Sequence, residues 1–337
     1  MSKSNPTLVQ SYITGKYGKA LVAGTMSIRE VARISGASFH SVRTALHIAQ
    51  EKAEAEAEKV SRKEVLQAAR RDSLDRPWRV VVIGDAHFKP GVPITRAILM
   101  GKFITEQAKD AQRNRERVAV VCIGDWHDME ALSSYDKGKA SGENRRFQDD
   151  IDIGNDAIRL MMKHIDPLVT VDRFLVTLGN HEYRMQRAAN DSPEYAGFLD
   201  NHLLAWETEG WEVFKFGDIA RIDDVMFCHY FQSEGNGRAI SSVNMGRQLL
   251  LKNMASSVCG HSHLFKTDTL TTMAGAKIVS AVVGCAFEHD EDYRGHRNPA
   301  MDRGLVVLHN LKGSHFRPHF HDFTHLRKTY NMPGADR

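Results

Sequence analysis

With 337 residues and 42% hydrophobic side chains, the chain is long enough for about two domains and apolar enough to bury a core. A net charge of +3, from 45 Lys and Arg against 42 Asp and Glu, excludes a wholly basic nucleic-acid coat and an acidic disordered tail. Low mean hydropathy, no run of about eighteen apolar residues and the polar start MSKSNPTLVQ argue against a membrane span or signal peptide and predict a cytoplasmic protein. The basic surplus is uneven, because the first 78 residues carry 13 Lys and Arg against 8 Asp and Glu, which leaves the remainder net acidic. In that first segment Ser27-Ile28-Arg29-Glu30 has the capping-box form, and Ile28, Val31, Ala32 and Ile34 follow at helical spacing. The helix is expected to stop at Ser35-Gly36-Ala37, after which Ser38 can cap a second helix carrying Val42, Leu46 and Ala49 inward.

Two short helices around a Gly-containing turn make a helix-turn-helix pattern. Its second helix would offer His40, Ser41 and Arg43 to DNA, while the alternative use is packing into a homodimer. Residues 37–76 contain neither Gly nor Pro and are rich in Ala, Glu, Lys and Arg, so helix is predicted to run on until Pro77. The expected organisation is a helix-turn-helix-like segment at 1–50, a helical linker at 51–77 and a second domain at 78–337.

Beyond Trp78 short β-branched runs at 80–83, 118–123, 174–178, 225–228 and 257–259 read as buried strands, joined later by 277–283 and 305–308. Helix-like stretches at 96–112 and 150–164 lie between them, so the fold class is α/β with two sheets. A polar cluster ends each of the first five strands: Gly84-Asp85-Ala86-His87, Gly124-Asp125-Trp126-His127-Asp128, Gly179-Asn180-His181-Glu182, His229, and Gly260-His261-Ser262-His263. Ligands in open α/β folds gather at the carboxyl ends of strands, so five loops are expected to converge on one site. Carboxylates, imidazoles and one amide oxygen suit divalent Mn, Fe, Zn or Ni. Cys122, Cys228, Cys259 and Cys285 lack CxxC spacing and stand outside the clusters, which argues against a structural zinc site. Asp85, His87, Asp125, Asn180, His229, His261 and His263 exceed what one catalytic ion takes, so two ions are expected, with Asp125 a candidate bridge. The later histidines 315, 319, 321 and 325 have irregular spacing around Phe and Pro that favours solvated or packed side chains.

The ordered set DxH, GDxxD, GNHE, a lone His after a strand, and GHxH resembles the calcineurin-like metallophosphoesterase superfamily, over residues 80 to about 265. The resemblance implies a two-sheet αββα sandwich, preceded here by a small all-helical segment, with the final strands completing the second sheet. It implies two divalent ions, Mn foremost and Fe, Zn or Ni as alternatives. Asp85, His87 and His263 would hold one, Asn180, His229 and His261 the other, and Asp125 would bridge them. His181 would be the general acid and Asp128 would orient it through its other ring nitrogen. An N-terminal helical segment before such a domain is similar to phage-encoded members.

Departures from the superfamily's branches narrow the substrate. Serine/threonine phosphatases read GDxVDRG, whereas Met129 and Glu130 follow Asp128 here, and purple acid phosphatases need a ligating Tyr where Trp126 and His127 stand. Arg184 and Arg187, one helical turn beyond His181, are candidates to grip phosphate oxygens, as are Lys89 and the pair Arg145 and Arg146. Residues 133–144 and 232–238 are candidate substrate loops. The leading expectation is a phosphodiesterase or nuclease fed DNA or RNA by the basic helices. A phosphatase or phosphodiesterase for small phosphoesters, with the helices used for assembly, and a DNA-binding regulator on an inactive scaffold are the alternatives.

Overall fold

The computed structural model describes residues 6–134, 139, 142–234, 237–290 and 300–333, and the chain divides into two compact units, Met1–Asp75 and Arg76–Arg337. The first unit is helical, with α1 at Pro6–Val22, α2 at Ile28–Ser35 and α3 at Phe39–Asp75. Ser27 Oγ accepts the Glu30 N–H at 3.2 Å while the Ser27 N–H donates to the Glu30 carboxylate, so α2 starts on a complete capping box. Gly36 ends it in the left-handed conformation at φ 69°, and Ser38 Oγ accepts the Ser41 N–H to start α3. Ile13, Leu21, Val31, Val42 and Ala45 form the core of these three helices. The first helix has no counterpart in the sequence reading. Gly18 lies on it where a Cβ would stand 3.3 Å from that of Ala49, so the residue that weakens its helical signal lets it approach α3 closely. No break separates residues 50 and 51, because α3 is one helix of 37 residues. The side chains of residues 61–74 within it lie outside the described residues.

The second unit has eleven strands among its described residues: β1 Trp78–Ile83, β2 Arg117–Cys122, β3 Arg173–Thr177, β4 Glu212–Phe214, β5 Ala220–Ile222, β6 Val225–Phe227, β7 Ser257–Cys259, β8 Phe265–Thr271, β9 Lys277–Val283, β10 Gly304–Lys312 and β11 His315–Asp322. One sheet has the order β11-β10-β1-β2-β3-β4 and the other β5-β6-β7-β9-β8. Alternation along β1 builds two layers at once. Val80 and Val82 join Val121, Phe227 and Ala281 between the sheets, whereas Val81 and Ile83 face Leu99, Phe103 and Ile158 of α4 (Thr95–Arg113) and α5 (Phe147–Lys163). On the far side of the second sheet α7 (Met245–Asn253) packs Met245 and Leu249 on Met226 and Val282. The result is an α/β sandwich of the αββα kind.

The final strands do not all complete the second sheet. β8 and β9 do, but β10 returns to the first sheet and pairs antiparallel with β1, Val81 opposite Val307, and β11 pairs outside it. Hydrophobicity on both faces of β10, from Leu305 to Leu308, suits this place beside β1 between two apolar layers. β1, β2 and β3 run parallel in the first sheet and β6 and β7 run parallel in the second, so their carboxyl ends gather at one edge of the sandwich.

Candidate metal centre

Three of the five strand-end loops deliver their side chains through constrained backbone. His87, Asp125, His261 and His263 have φ of 43°, 48°, 66° and 60°, the left-handed region that L side chains with a bulky group rarely occupy. Clustering of that strain on four metal-binding candidates marks a site held by its surroundings. The glycines act by close approach. A Cβ on Gly179 would overlap the Asp125 carboxylate and one on Gly260 would overlap that of Asp85.

The loops bring all seven expected side chains together. Asp85, His87 and His263 form one group and Asp125, His229 and His261 another, the donor atoms within each lying within 4.8 Å of one another. Asp125 Oδ2 faces both, 4.0 Å from His87 Nε2 and 3.3 Å from His229 Nε2, and Asn180 Oδ1 lies 2.9 Å from that same His229 nitrogen. The opposite edges of these groups are fixed by the protein. Asp85 Oδ1 accepts the His261 N–H, Asp125 Oδ1 accepts the His181 N–H, and His229 Nδ1 donates to the Ile123 carbonyl, which leaves Nε2 as the donor atom facing inward. Asp85 Oδ2 and His87 Nε2 are buried and have no hydrogen-bond partner, although they aim at the same space. Oxygen and imidazole donors with buried, unspent lone pairs fit divalent ions of the Mn, Fe, Zn and Ni type. The four cysteines are buried and form no disulfide.

Electrostatics reinforce the geometry. Burial alone would raise Asp125, but His229, His181 and His87 outweigh it and hold the carboxyl well below its usual range. Burial would likewise push His229 down, and Asp125 followed by Asp85 lifts it to about 10. Such an imidazole must release its proton to ligate, so ion binding is coupled to proton release.

Asp128 connects the centre to its neighbour. Its carboxylate Oδ1 lies 2.8 Å from His181 Nδ1 and 3.2 Å from His87 Nδ1, so one group orients both rings. Burial opposes charge on His181, but Asp125 and then Asp128 raise its pKa above the ordinary imidazole value. Arg184, on α6 (Tyr183–Asp191), donates from Nη1 to the Asp128 and Met129 carbonyls, and its Nη2 lies 3.1 Å from His181 Nε2. One edge of that guanidinium is therefore committed to the loop, where the sequence suggested a phosphate grip. Lys89 donates to Glu130 at 3.1 Å and Arg145 Nε lies 3.6 Å from the same carboxylate, while Arg146 and Arg187 are exposed. Arg145, Arg184 and Arg187 line a cavity of about 810 Å³ together with Glu130, Ser134 and Tyr195. Much of the expected loop 133–144 and residues 235–236 of the other loop lie outside the described residues.

Two residues with structural weight went unassigned in the sequence. Glu182 is fully buried and its carboxylate accepts the N–H groups of Asp125, Trp126, His127 and Gly179, which ties the second and third loops together. Its place directly after Asn180-His181 was the available signal. Arg96 donates to the Ala86 and His87 carbonyls and stacks on Phe88 at 3.8 Å. An arginine among Ala97, Leu99 and Met100 on the buried face of α4 was the clue there. His127 is a packed residue, its ring against Gly154 and its Nε2 3.2 Å from Asn155 Oδ1.

Beside the His229 and His261 side runs a row of aromatic rings. Tyr230 lies 4.8 Å from His261, Phe216 5.4 Å from Tyr230, and Tyr183 stacks on Phe216 at 4.7 Å. All three are part-exposed.

Comparison with known proteins bears on the same region. No curated protein matches the chain. The family model described as calcineurin-like phosphoesterase matches residues 79–265, more than half of the chain and all the strand-end loops that build the cluster. A match of that extent places the chain in the calcineurin-like phosphoesterase family and makes it a metal-dependent hydrolase of phosphoric esters.

Proposed function

We propose that the protein is a two-metal phosphodiesterase acting on nucleic acid. The observation that carries the two-metal reading is Asp125, whose Oδ2 faces donors from both groups. Asp85, His87 and His263 would hold one ion, Asn180, His229 and His261 the other, with Asp125 common to both. When bound, the ions supply positive charge to the phosphoryl oxygens and acidify the attacking water. His181 would supply a proton: with Nδ1 held by Asp128, Nε2 would deliver it to the leaving oxygen once Arg184 Nη2, which lies 3.1 Å from that nitrogen, turns to a phosphate oxygen. Asp128 keeps the ring in place and favours its charged form, and Arg187 with the open edge of Arg184 offers guanidinium groups to phosphate oxygens.

The aromatic row favours a base-bearing ester, because successive bases stack on such rings for about 1–3 kcal/mol each. The helical unit adds a second support: His40 and Arg43 are exposed at the start of α3, and Ser41 is half-buried with its hydroxyl 2.9 Å from that of Ser38. Metal-loaded protein should cleave labelled single- or double-stranded DNA or RNA. Tyr230→Ala should lower kcat/KM on nucleic acid by roughly 5- to 100-fold and leave bis-p-nitrophenyl phosphate hydrolysis intact. Arg43→Ala should weaken DNA binding and reduce its salt slope by about one. Hydrolysis confined to free nucleotides would replace this reading with a small-phosphoester enzyme, and inactivity with Mn, Fe, Zn and Ni alike would remove catalysis from it.

A further inference from the structure

Histidines also gather away from the strand-end centre, on the β10–β11 hairpin. Register places Leu305 opposite His321, Val307 opposite His319 and His309 opposite Arg317. Alternation then puts residues 305, 307, 309, 317, 319 and 321 on one face. That face is the helix side, because Leu305 and Val307 belong to the core shared with α4. His319 and His321 are successive residues of β11 on it, and His309 is the diagonal neighbour of His319. The rings of His319 and His321 are 4.6 Å apart, those of His309 and His319 are 6.2 Å apart, and His321 packs on Phe103 of α4 at 4.9 Å. One ring nitrogen from each lies within 4.8 Å of the others. His321 Nε2 is buried without a hydrogen-bond partner, a state that buried polar atoms rarely keep unless something absent satisfies them.

We propose that His309, His319 and His321 form a second metal site, binding one borderline divalent transition ion such as Zn2+ or Ni2+ and sharing no residue with the strand-end centre. Three imidazoles without carboxylate or thiolate select this class over Mg2+, Ca2+ or Mn2+. Metal–nitrogen bonds of about 2.0–2.1 Å require the three nitrogens to close to roughly 3–3.5 Å. Side-chain rotation of the exposed His319 and the half-buried His309 would supply that closure, since two paired strands already fix the three backbones. The protonation state is suitable. Burial first, then repulsion from Arg79 and His319, holds His309 below the ordinary imidazole value, and burial with His319, His309 and His325 pushes His321 down to about 4. Both shifts favour the neutral form that ligates. His315, across from Lys312 near the turn, is outside the group.

The test uses the full chain, loaded with Ni2+ alone or Zn2+ alone and dialysed, with bound metal counted by elemental analysis. Wild type should hold one equivalent more than His319→Ala, and His309→Ala should show the same loss, which covers a folding defect in either variant. Both variants should hydrolyse bis-p-nitrophenyl phosphate at the wild-type rate. Cu2+-loaded wild type should show one more nitrogen-ligated signal than each variant, because the strand-end centre keeps its own imidazole-bound Cu2+ in all three proteins. Equal metal content in wild type and both variants would overturn the site. Loss of hydrolysis in parallel with the lost equivalent would overturn its independence from the strand-end centre.

Discussion

In the helical unit the side chains that cap the helices reach three residues along the chain, Ser27 to Glu30 and Ser38 to Ser41, through exposed bonds. In the phosphoesterase unit Asp85 reaches His261, 176 residues away, and is fully buried. An exposed local bond can be lost to water at small cost. A buried carboxylate cannot, so its partners must all be present, and that requirement is what makes the site specific. The difference predicts that substitutions in the two units should differ by orders of magnitude in what they change.

The largest effect should follow Asp125→Asn, which removes the oxygen common to both donor groups. Turnover of bis-p-nitrophenyl phosphate should fall roughly 10³-fold or more, together with metal content, and an unchanged metal content would break the assignment. Next, His181→Asn should keep the metal yet lose about 10²–10⁴ in rate on poorly activated esters, with a smaller loss when the leaving group is p-nitrophenol. Asp128→Asn sharpens this through pH. Asp128 helps raise the His181 pKa, so its removal lowers that pKa, and the alkaline limb of the rate profile should move to lower pH.

Asp150 tests burial without catalysis. Burial raises its pKa to about 6, above its unfolded value, so its contribution is most favourable in acid and is lost as pH rises through about 6. Asp150→Asn should therefore stabilise the protein by about 1–3 kcal/mol at pH 8, a gain that vanishes below pH 4 in thermal melts. At the small end, Ser27→Ala should cost about 1 kcal/mol of stability in the helical unit and leave ester hydrolysis unchanged. A measurable loss of hydrolysis would break the separation between the units.

The readable parts of the sequence were those where one local pattern determines one local structure. The parallel strands are continuous apolar runs because both faces are covered, and Gly84, Gly124, Gly179 and Gly260 mark their ends. The capping box and Gly36 likewise mark α2. What escaped depends on distant partners or on weak burial. β8 reads FKTDTLT because it is an edge strand with mostly exposed side chains, and β4 and β5 have three residues each, too few for a period. β11 reads as a polar tail because its histidines alternate with the apolar Phe316 and Phe320. Glu182 stood in a recognised motif, but its four backbone partners become visible only once two loops meet. Such residues belong to the site although they are not on its surface.

The return of β10 to the side of β1 sets an order for synthesis. β1 emerges early, yet its second edge is covered only when residues 304–312 arrive, well past the end of the family-matched segment. Ala286 then donates to the Asp85 carbonyl and Asp302 to that of His263, fixing the backbones of two of the proposed metal ligands. Pairing across such a sequence separation forms slowly and late. A chain cut short before that point would carry every motif residue yet lack both the strand that covers the second edge of β1 and the backbone bonds that fix Asp85 and His263.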